Sequence, residues 1–343
     1  MSFFSSLRSE SLALIDISAG SVAGAYAHYR DDKPPAVVFM RRVPIEMHTG
    51  EPHEKAMLRA LELLGSSLIR DGAPLLARAA GSGSVHTILV SIDAPWQETK
   101  VHTEHFERTE PFVFTKRMVE SALEKTDGTI EGKFLADESV IGTILNGYGT
   151  REPYGRKVHR AQVVVLSSYI DEEVSRSIVK DLRSLFHTKN ILSIAGNSLR
   201  YQAMRVVFPH EHDTLILDAV GPLISIALVR RGLLVAVREV AESTMPTKTD
   251  AWVDRVRGEL TELAKRYPLP RTIFLLAQEQ DIKPLEKALS AAAFKELWLS
   301  DNPPKIISIL PSHVASFVTQ SAATLPDLSL LLMALYWKHR PSE

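Results

Sequence analysis

Two aspartates, Asp16 and Asp218, each close a short apolar run just before a turn of small residues. The turn residues that could meet a ligand are Ser18, Gly20 and Ser21 after the first aspartate, and Gly221 after the second. A second apolar run follows each turn, so the pattern predicts two similar β-hairpins. An aspartate at such a turn can face a metal ion and phosphate groups, while glycine lets backbone N–H groups approach phosphate oxygens. The two segments therefore indicate a duplicated phosphate-binding architecture.

Two interpretations of the aspartates remain open. Asp16 and Asp218 could coordinate Mg²⁺ through water, or they could be turn residues that accept hydrogen bonds from backbone N–H groups. The second turn favours the turn interpretation, because Pro222 removes a backbone donor while Leu223 and Ile224 add bulk. Since a magnesium site would need both carboxylates, we expect no cofactor, with ATP and Mg²⁺ as the ligands if the site is retained.

Other kinds of catalytic or metal chemistry have little support in the sequence. The chain contains no Cys, which excludes disulfides, thiol nucleophiles and Cys-ligated metal sites. The closest histidine groups, His102 with His105 and His210 with His212, have no obvious third ligand in sequence. No G-x-S-x-G turn is present, so a nucleophile-elbow hydrolase is unsupported. We therefore predict no catalytic residue and no metal site.

Composition narrows the class of partner. Lys plus Arg (40) and Asp plus Glu (41) nearly cancel over 343 residues, which gives no electrostatic case for nucleic acid or an anionic membrane surface. The N-terminus does not have the pattern of a secretory signal, and the apolar runs are shorter than the ~20 residues that span a bilayer. We expect a cytoplasmic protein whose partner is a protein or a small ligand.

The elements that must position the two hairpins alternate between strand and helix, which predicts an α/β fold. Further strands are predicted at 36–43, 85–92, 133–146, 159–168, 190–195, 232–240, 272–277 and 306–310. Helices are predicted at 54–69, 112–125, 171–187, 250–267, 282–293 and 328–337. We divide the chain into a first subdomain at 1–110, an inserted α/β subdomain at 111–210 and a second subdomain at 211–343.

This order of segments resembles the actin-like ATPase superfamily and, most closely, its bacterial FtsA/PilM branch. Residues 16–22 stand where that branch has its first phosphate motif, and residues 218–226 stand where it has the second. Residues 273–289 are similar to the adenosine motif, and Leu325-Pro326-Asp327 with the following apolar helix resembles the closing segment. The resemblance implies an actin-like, ribonuclease H-like duplicated fold with a small inserted α/β subdomain.

The sequence departs from the pattern of that superfamily at each nucleotide motif. Ser18 replaces the early glycine of the first motif, and 220–225 (VGPLIS) replaces the Gly-Gly-Gly-Thr-Thr-Asp run of the second. The paired glycines of the adenosine motif are replaced by 277–279 (AQE), whose side chains would crowd a nucleotide. The stretch before Thr272 is short, which predicts a reduced or missing adenine-side subdomain. The hairpin residues therefore indicate a vestigial nucleotide site.

The resemblance implies a scaffold protein without hydrolytic activity. A PilM-like member would bind the short cytoplasmic segment of an inner-membrane pilus-platform or division protein, and would be recruited to the inner membrane through it. FtsA has a C-terminal membrane-targeting helix after a linker; the end of this sequence shortly after Trp337 favours the PilM-like side as an expectation. The alternatives are an active ATP-binding actin-like ATPase and an FtsA-like cell-division protein, and a homo-oligomer is possible.

Overall fold

The structure is a computed structural model that describes residues 9–31, 33–126, 130–150, 152–240, 249–291, 294, 297–298, 304–321 and 325–340. The strands, in chain order, are β1 (Ser9–Ile17), β2 (Ser21–Arg30), β3 (Lys33–Pro44), β4 (Thr87–Ile92), β5 (Gln97–Val113), β6 (Lys133–Leu145), β7 (Tyr148–Thr150), β8 (Lys157–Asp171), β9 (Asn190–Ala195), β10 (Thr214–Ala219), β11 (Ile224–Arg230), β12 (Leu233–Val240), β13 (Thr272–Ala277), β14 (Lys305–Ser308) and β15 (Thr319–Gln320).

The helices are α1 (His53–Ser67), α2 (Ala73–Ala80), α3 (Lys116–Thr126), α4 (Glu172–Phe186), α5 (Gly196–Val207), α6 (Thr249–Ala264), α7 (Glu279–Ala291), α8 (Pro311–Val314) and α9 (Leu328–His339). A π-helical turn, Leu68–Gly72, joins α1 to α2. No helix in the described part of the chain is both long enough and apolar enough to cross a membrane.

The chain divides into two compact units, each made of discontinuous segments. The segments of unit 1 are Met1–Trp96, Asp171–Phe208 and Leu310–Glu343; those of unit 2 are Gln97–Ile170 and Pro209–Ile309. The first hairpin therefore belongs to unit 1 and the second to unit 2. The three-part division at 110 and 210 stays a prediction.

Unit 1 is built on a six-stranded sheet in the order β15-β3-β2-β1-β4-β9. β1 and β2 form an antiparallel hairpin, and β1 pairs in parallel with β4. Leu64 and Leu68 lie beside Gly24 on one face of β2, whereas the Tyr29 hydroxyl donates to the Ala334 carbonyl (3.2 Å) on the other. Because helices cover both faces, β1 and β2 are almost wholly buried and apolar.

Two helices of unit 1 start at aspartate N-caps. The Asp171 carboxylate accepts hydrogen bonds from the N–H groups of Glu173 (3.0 Å) and Val174 (3.1 Å) at the start of α4. Asp327 accepts one from the Leu330 N–H (3.2 Å) at the start of α9. These contacts satisfy backbone donors that a helix start otherwise leaves unpaired.

Unit 2 repeats the hairpin arrangement in a five-stranded sheet, in the order β12-β11-β10-β13-β14. β10 and β11 are antiparallel, and β10 pairs in parallel with β13, as β1 does with β2 and β4. The apolar core of this sheet includes Trp252 and Leu260 of α6 and Leu289 of α7. The two copies predicted from the sequence are therefore present as two equivalent sheets.

A smaller four-stranded sheet in the order β5-β8-β6-β7, whose strands lie between Gln97 and Asp171, completes unit 2. Helix α3 packs on one face through Met118 and Leu123. On β6, a Cβ atom added to Gly142 would lie 2.1 Å from Leu233 Cδ2 of β12. The absence of a side chain at residue 142 thus lets β12 of the larger sheet pack against the smaller one.

Most predicted elements are present, and strands 190–195 and 272–277 have the predicted bounds. The predicted start of the helix at 112–125 was wrong, because Phe112 and Val113 belong to β5 and the helix begins at Lys116. The short strand β7 was not predicted. Two long elements were missed altogether, β5 and α5.

Candidate functional site

The turn of the first hairpin is closed by its own hydrogen bonds. The Ser18 N–H and the Ser18 hydroxyl both donate to the Ser21 carbonyl, each at 3.0 Å. The Gly20 carbonyl accepts from the Ile45 N–H (2.9 Å), and the Ala19 carbonyl lies 2.8 Å from His53 Nε2. The structure therefore brings Ser18, Gly20 and Ser21 together in one compact turn, beside Asp16 at the end of β1.

Arg42 of β3 reaches into this turn. Its Nη1 donates to the Ser21 hydroxyl (2.7 Å) and its Nη2 donates to Asp16 Oδ2 (3.1 Å). The same guanidinium makes a bidentate pair with Asp327, with Nε to Oδ2 at 2.7 Å and Nη2 to Oδ1 at 3.0 Å. A cationic side chain of the protein thus contacts the carboxylate and the hydroxyl that would face a metal ion and phosphate.

Asp16 is strongly affected by its burial. Its side chain is 2% exposed, and Oδ1 has no hydrogen-bond partner among the described residues. Burial raises the pKa of Asp16 from 3.8 to about 6, Arg42 opposes that shift, and Asp93 adds to it. Burial by itself would lower the pKa of Arg42, but the combined attraction of Asp327 and Asp16 outweighs burial and raises that pKa. Arg42 donates two charge-assisted hydrogen bonds to Asp327 and one to Asp16. Arg42 therefore balances the negative charge of Asp16 less fully than that of Asp327.

This raised pKa predicts a specific dependence of stability on pH. A proton binds Asp16 more tightly in the folded state than in the unfolded chain. The folding stability that comes from protonated Asp16 is therefore complete below about pH 4 and is lost as the pH rises through about 6. The Asp16→Asn variant has no ionisable group at this position, so its stability does not fall in this way. The free energy of unfolding of the wild type should therefore fall, relative to the variant, by roughly 1–3 kcal/mol over this window.

Urea denaturation of both proteins at several pH values between about 4 and 7 measures this difference. Using the difference between the two proteins cancels the titration of the other groups. A difference that stays constant across the window would show that Asp16 keeps its ordinary pKa in the fold.

A second buried ion pair lies next to the first hairpin in unit 1. Asp93 follows β4, and its N–H donates to the Ile17 carbonyl (2.9 Å) at the end of β1. Arg200 of α5 binds the Asp93 carboxylate with both terminal nitrogens, including Nη1 to Oδ2 at 3.2 Å. A Cβ atom added to Gly196 would lie 1.9 Å from Asp93 Oδ1, so the first residue of α5 must be glycine for the carboxylate to approach.

The turn of the second hairpin, in unit 2, also bonds to itself. Asp218 is buried, and its Oδ1 accepts from the Val220 N–H (3.0 Å), which is an aspartate turn. Gln278 Nε2 donates to the Val220 carbonyl (3.1 Å). Gly221 lies in the same turn. A residue that replaces a glycine of the adenosine motif is therefore hydrogen-bonded to the turn that replaces the second phosphate motif.

The sequence identified both hairpins and missed the three side chains that complete the first one. Arg42, Asp93 and Arg200 lie on β3, after β4 and on α5. An aspartate directly after the buried strand β4 was a usable signal for Asp93. In the described part of the chain, no three His, Asp or Glu side chains are placed to hold a metal ion.

Two matched hairpins on equivalent sheets, with a small inserted sheet, define an actin-like ATPase fold. The chain is similar to one chain of a "PilM-PilN type IV pilus biogenesis complex", with a TM-score of 0.58 and 14% sequence identity, over 96% of this chain and 98% of that one. The chain therefore shares its fold with that chain of the PilM-PilN complex.

Two further solved structures show lower similarity. A Bacteroides thetaiotaomicron protein with an actin-like ATPase fold and unknown function gives a TM-score of 0.49 at 10% identity, over 97% of this chain and 98% of that one. The ethanolamine utilization protein EutJ from Carboxydothermus hydrogenoformans gives 0.43 at 9% identity, over 95% and 89%. No family model matches the sequence, and no curated protein matches it significantly.

Proposed function

We propose that this protein is a PilM-like scaffold that binds the short cytoplasmic segment of an inner-membrane partner in type IV pilus-type assembly, and that it does so without hydrolysing nucleotide. The observation that carries the second half of the proposal is the position of Arg42, whose guanidinium contacts Asp16 and Ser21 in the first hairpin. The similarity to a chain of the PilM-PilN complex supports the first half.

Arg42 opposes nucleotide chemistry for an electrostatic reason. Mg²⁺ and a guanidinium both bind carboxylate and hydroxyl oxygens. A metal ion next to Asp16 would therefore be repelled by the positive charge of Arg42. Moving Arg42 away would take the bidentate partner from Asp327, whose side chain is only 16% exposed. Binding of Mg-ATP in the first hairpin would therefore have to offset the cost of breaking this network.

The second hairpin supports the same conclusion. The Asp218 carboxylate accepts a hydrogen bond from the Val220 N–H, and Pro222 has no backbone N–H to donate to a phosphate. Gln278 bonds across to the turn. Between β12 and β13 the described residues form a single helix, α6. Asp218, Pro222 and Gln278 thus each take or lack a group that would bind a nucleotide at this turn.

We expect millimolar Mg-ATP to leave the melting temperature of the protein unchanged. A ligand at 100 times its Kd adds about 2.7 kcal/mol to the stability of the folded state. For a chain of 343 residues, an unfolding entropy of about 2.1 cal/mol/K per residue means that each kcal/mol moves the melting temperature by about 1–2 °C. A thermal melt with and without Mg-ATP would therefore reveal even modest binding, and ATP with excess EDTA is the control for nonspecific effects of the nucleotide.

The second candidate function is an ATP-binding actin-like ATPase. The observation that favours it is the retention of Asp16, Gly20 and Ser21 in one turn at the end of β1. A magnesium-dependent increase of several degrees in the melting temperature would support this candidate and contradict the scaffold without a nucleotide. Under either candidate we place the protein in the cytoplasm and propose that it reaches the inner membrane through its partner.

Binding of the partner is tested directly with a peptide. The probe is a synthetic peptide with the sequence of the cytoplasmic segment of the PilN-type inner-membrane protein encoded in the same genome. Calorimetric titration into the full chain is expected to show saturable binding at one site. A scrambled peptide of the same composition is the control, and equal heats for the two peptides would remove the support for a scaffold that recognises this partner.

A further inference from the structure

One edge of the unit 1 sheet is free. β9 is the last strand in the order β15-β3-β2-β1-β4-β9, and it pairs in parallel with β4 from Asn190 to Ala195 without a bulge. Among the described residues, the backbone of 191–193 forms no hydrogen bond outside this pairing. Edge strands present unpaired N–H and C=O groups that an added strand can satisfy. The outer side of β9 is therefore open to pairing.

The other edge strands in the described part of the chain have features that oppose pairing with another chain. Charged residues lie within β5, β12 and β14, and β7 and β15 are only three and two residues long. β9 has six residues (NILSIA) with no charge, no Pro and no Gly. Proteins commonly protect sheet edges with charged residues, proline or very short strands. β9 has none of these protections.

Apolar side chains border this free edge. Leu192, in the middle of β9, is 43% exposed. Helix α4 leads into β9 through 187–189, and it contacts α1 at Leu185, because a Cβ atom added to Gly65 would lie 2.6 Å from Leu185 Cδ1. Val179 and Phe186 are half-buried and, seven residues apart, share another side of α4. The edge therefore offers apolar surface as well as backbone groups.

The charges of α4 indicate that a second copy of the chain, running antiparallel, fits this edge. α4 begins with Glu172 and Glu173 and has Arg183 in its last turn, and Lys189 directly precedes β9. Glu172 pairs with Arg176 of the same helix, whereas Glu173 and Arg183 form no ion pair within 4 Å among the described residues. An antiparallel copy brings the acidic start of its α4 to the basic end of the first α4, and the reverse.

We propose that β9 is a self-association surface, at which two copies of the chain pair through antiparallel β9 strands about a twofold axis at Leu192. Leu192 then lies directly opposite Leu192 of the second copy, and this pair buries the most exposed apolar side chain of the strand. β9 contains no charged residue, so the twofold axis places no like charges opposite one another within the strand. A contact of this kind closes at two copies. The inference goes beyond the proposed function and does not depend on it.

The first test is sedimentation velocity of the full chain, in which the wild type is expected to form a dimer. Leu192→Lys and Leu192→Glu are each expected to weaken the dimer about tenfold or more, because each replaces an apolar pair with two like charges. An equimolar mixture of the two variants should recover the dimer, because Lys then lies opposite Glu. Leu63→Lys is the matched control, since Leu63 is 59% exposed on α1. Circular dichroism confirms that each variant is folded.

The second test is a cross-link between the two copies. The sequence contains no Cys, so Leu192→Cys gives each chain a single thiol. Residues directly opposite in an antiparallel pair have Cα atoms roughly 4.5–5.5 Å apart, which is within the range of about 4.4–6.8 Å that a disulfide spans. Mild oxidation of Leu192→Cys should therefore give a covalent dimer on a non-reducing gel, whereas Leu63→Cys should remain a monomer.

Three results would overturn the proposal. The first is a wild type that sediments as a monomer at concentrations up to about 100 μM. The second is a dimer that both charged variants at Leu192 leave unchanged, or equal cross-linking through Leu192→Cys and Leu63→Cys. The third is a monomeric wild type whose binding of the partner peptide is abolished by Leu192→Lys, which would assign the edge to the partner instead.

Discussion

Replacing Arg42 by Ala is expected to lower the free energy of unfolding by about 3–5 kcal/mol, the range for breaking a buried ion pair from one side. The guanidinium is 20% exposed, and it joins β3, the first hairpin and the start of α9. Its removal leaves the Asp16 and Asp327 carboxylates, 2% and 16% exposed, without their cationic partner. Chemical denaturation monitored by circular dichroism measures the loss.

The adjacent arginine is a matched control for this variant. Arg41 is 49% exposed, donates to the Ser67 hydroxyl and lies 3.6 Å from Asp71. Arg41→Ala should cost no more than about 1 kcal/mol, since exposed ion pairs contribute little. Combining Arg42→Ala with Asp16→Asn should recover part of the loss, because the neutral amide no longer needs a cation. Equal effects of Arg41→Ala and Arg42→Ala would show that the network does not hold the hairpin.

Replacing Arg200 by Ala is expected to destabilise the protein by a similar amount, about 3–5 kcal/mol. The Arg200 side chain is 7% exposed and that of Asp93 is 16% exposed. The Asp93 N–H donates to the Ile17 carbonyl, and the Asp93 carboxylate lies against Gly196 at the start of α5. The variant therefore leaves a buried negative charge near Asp16, where Asp93 already raises the pKa.

An exposed arginine in a comparable pair is the control for Arg200. Arg176 of α4 donates to Glu172 at 2.7 Å, but its side chain is 70% exposed. Arg176→Ala should cost about 0.3–0.5 kcal/mol, the usual value for a helix pair four residues apart. If Arg200→Ala were as mild as Arg176→Ala, the pair with Asp93 would not be part of the structural core of unit 1.

The parts of the fold that follow from local pattern were predictable. Two apolar runs around a turn of small residues gave both hairpins, and the parallel strands β4 and β13 were visible as apolar runs. The strand β5 was missed because charged and polar residues alternate along much of its length, which resembles a solvated segment. The helix α5 was missed because its first residues, Gly196-Asn197-Ser198, are typical of a turn.

The side chains that contact the turn of the first hairpin were not predictable from local pattern, because they are distant from it in sequence. Arg42 lies 26 positions from Asp16, and Asp327 lies 285 positions from Arg42. Only the register of β2 with β3, which places Arg42 opposite Ala23, brings the guanidinium near the turn. The sequence showed that glycines of the nucleotide motifs are replaced. The structure shows which side chains contact the two turns.

The most direct test of the account is one calorimetric titration of the partner peptide, performed on the full chain with and without millimolar Mg-ATP. The account predicts the same Kd in both titrations, because Arg42 and Gln278 already bond to the turns where a nucleotide would bind. A Kd that becomes tenfold tighter only with Mg-ATP, or binding of Mg-ATP with no binding of the peptide, would contradict it.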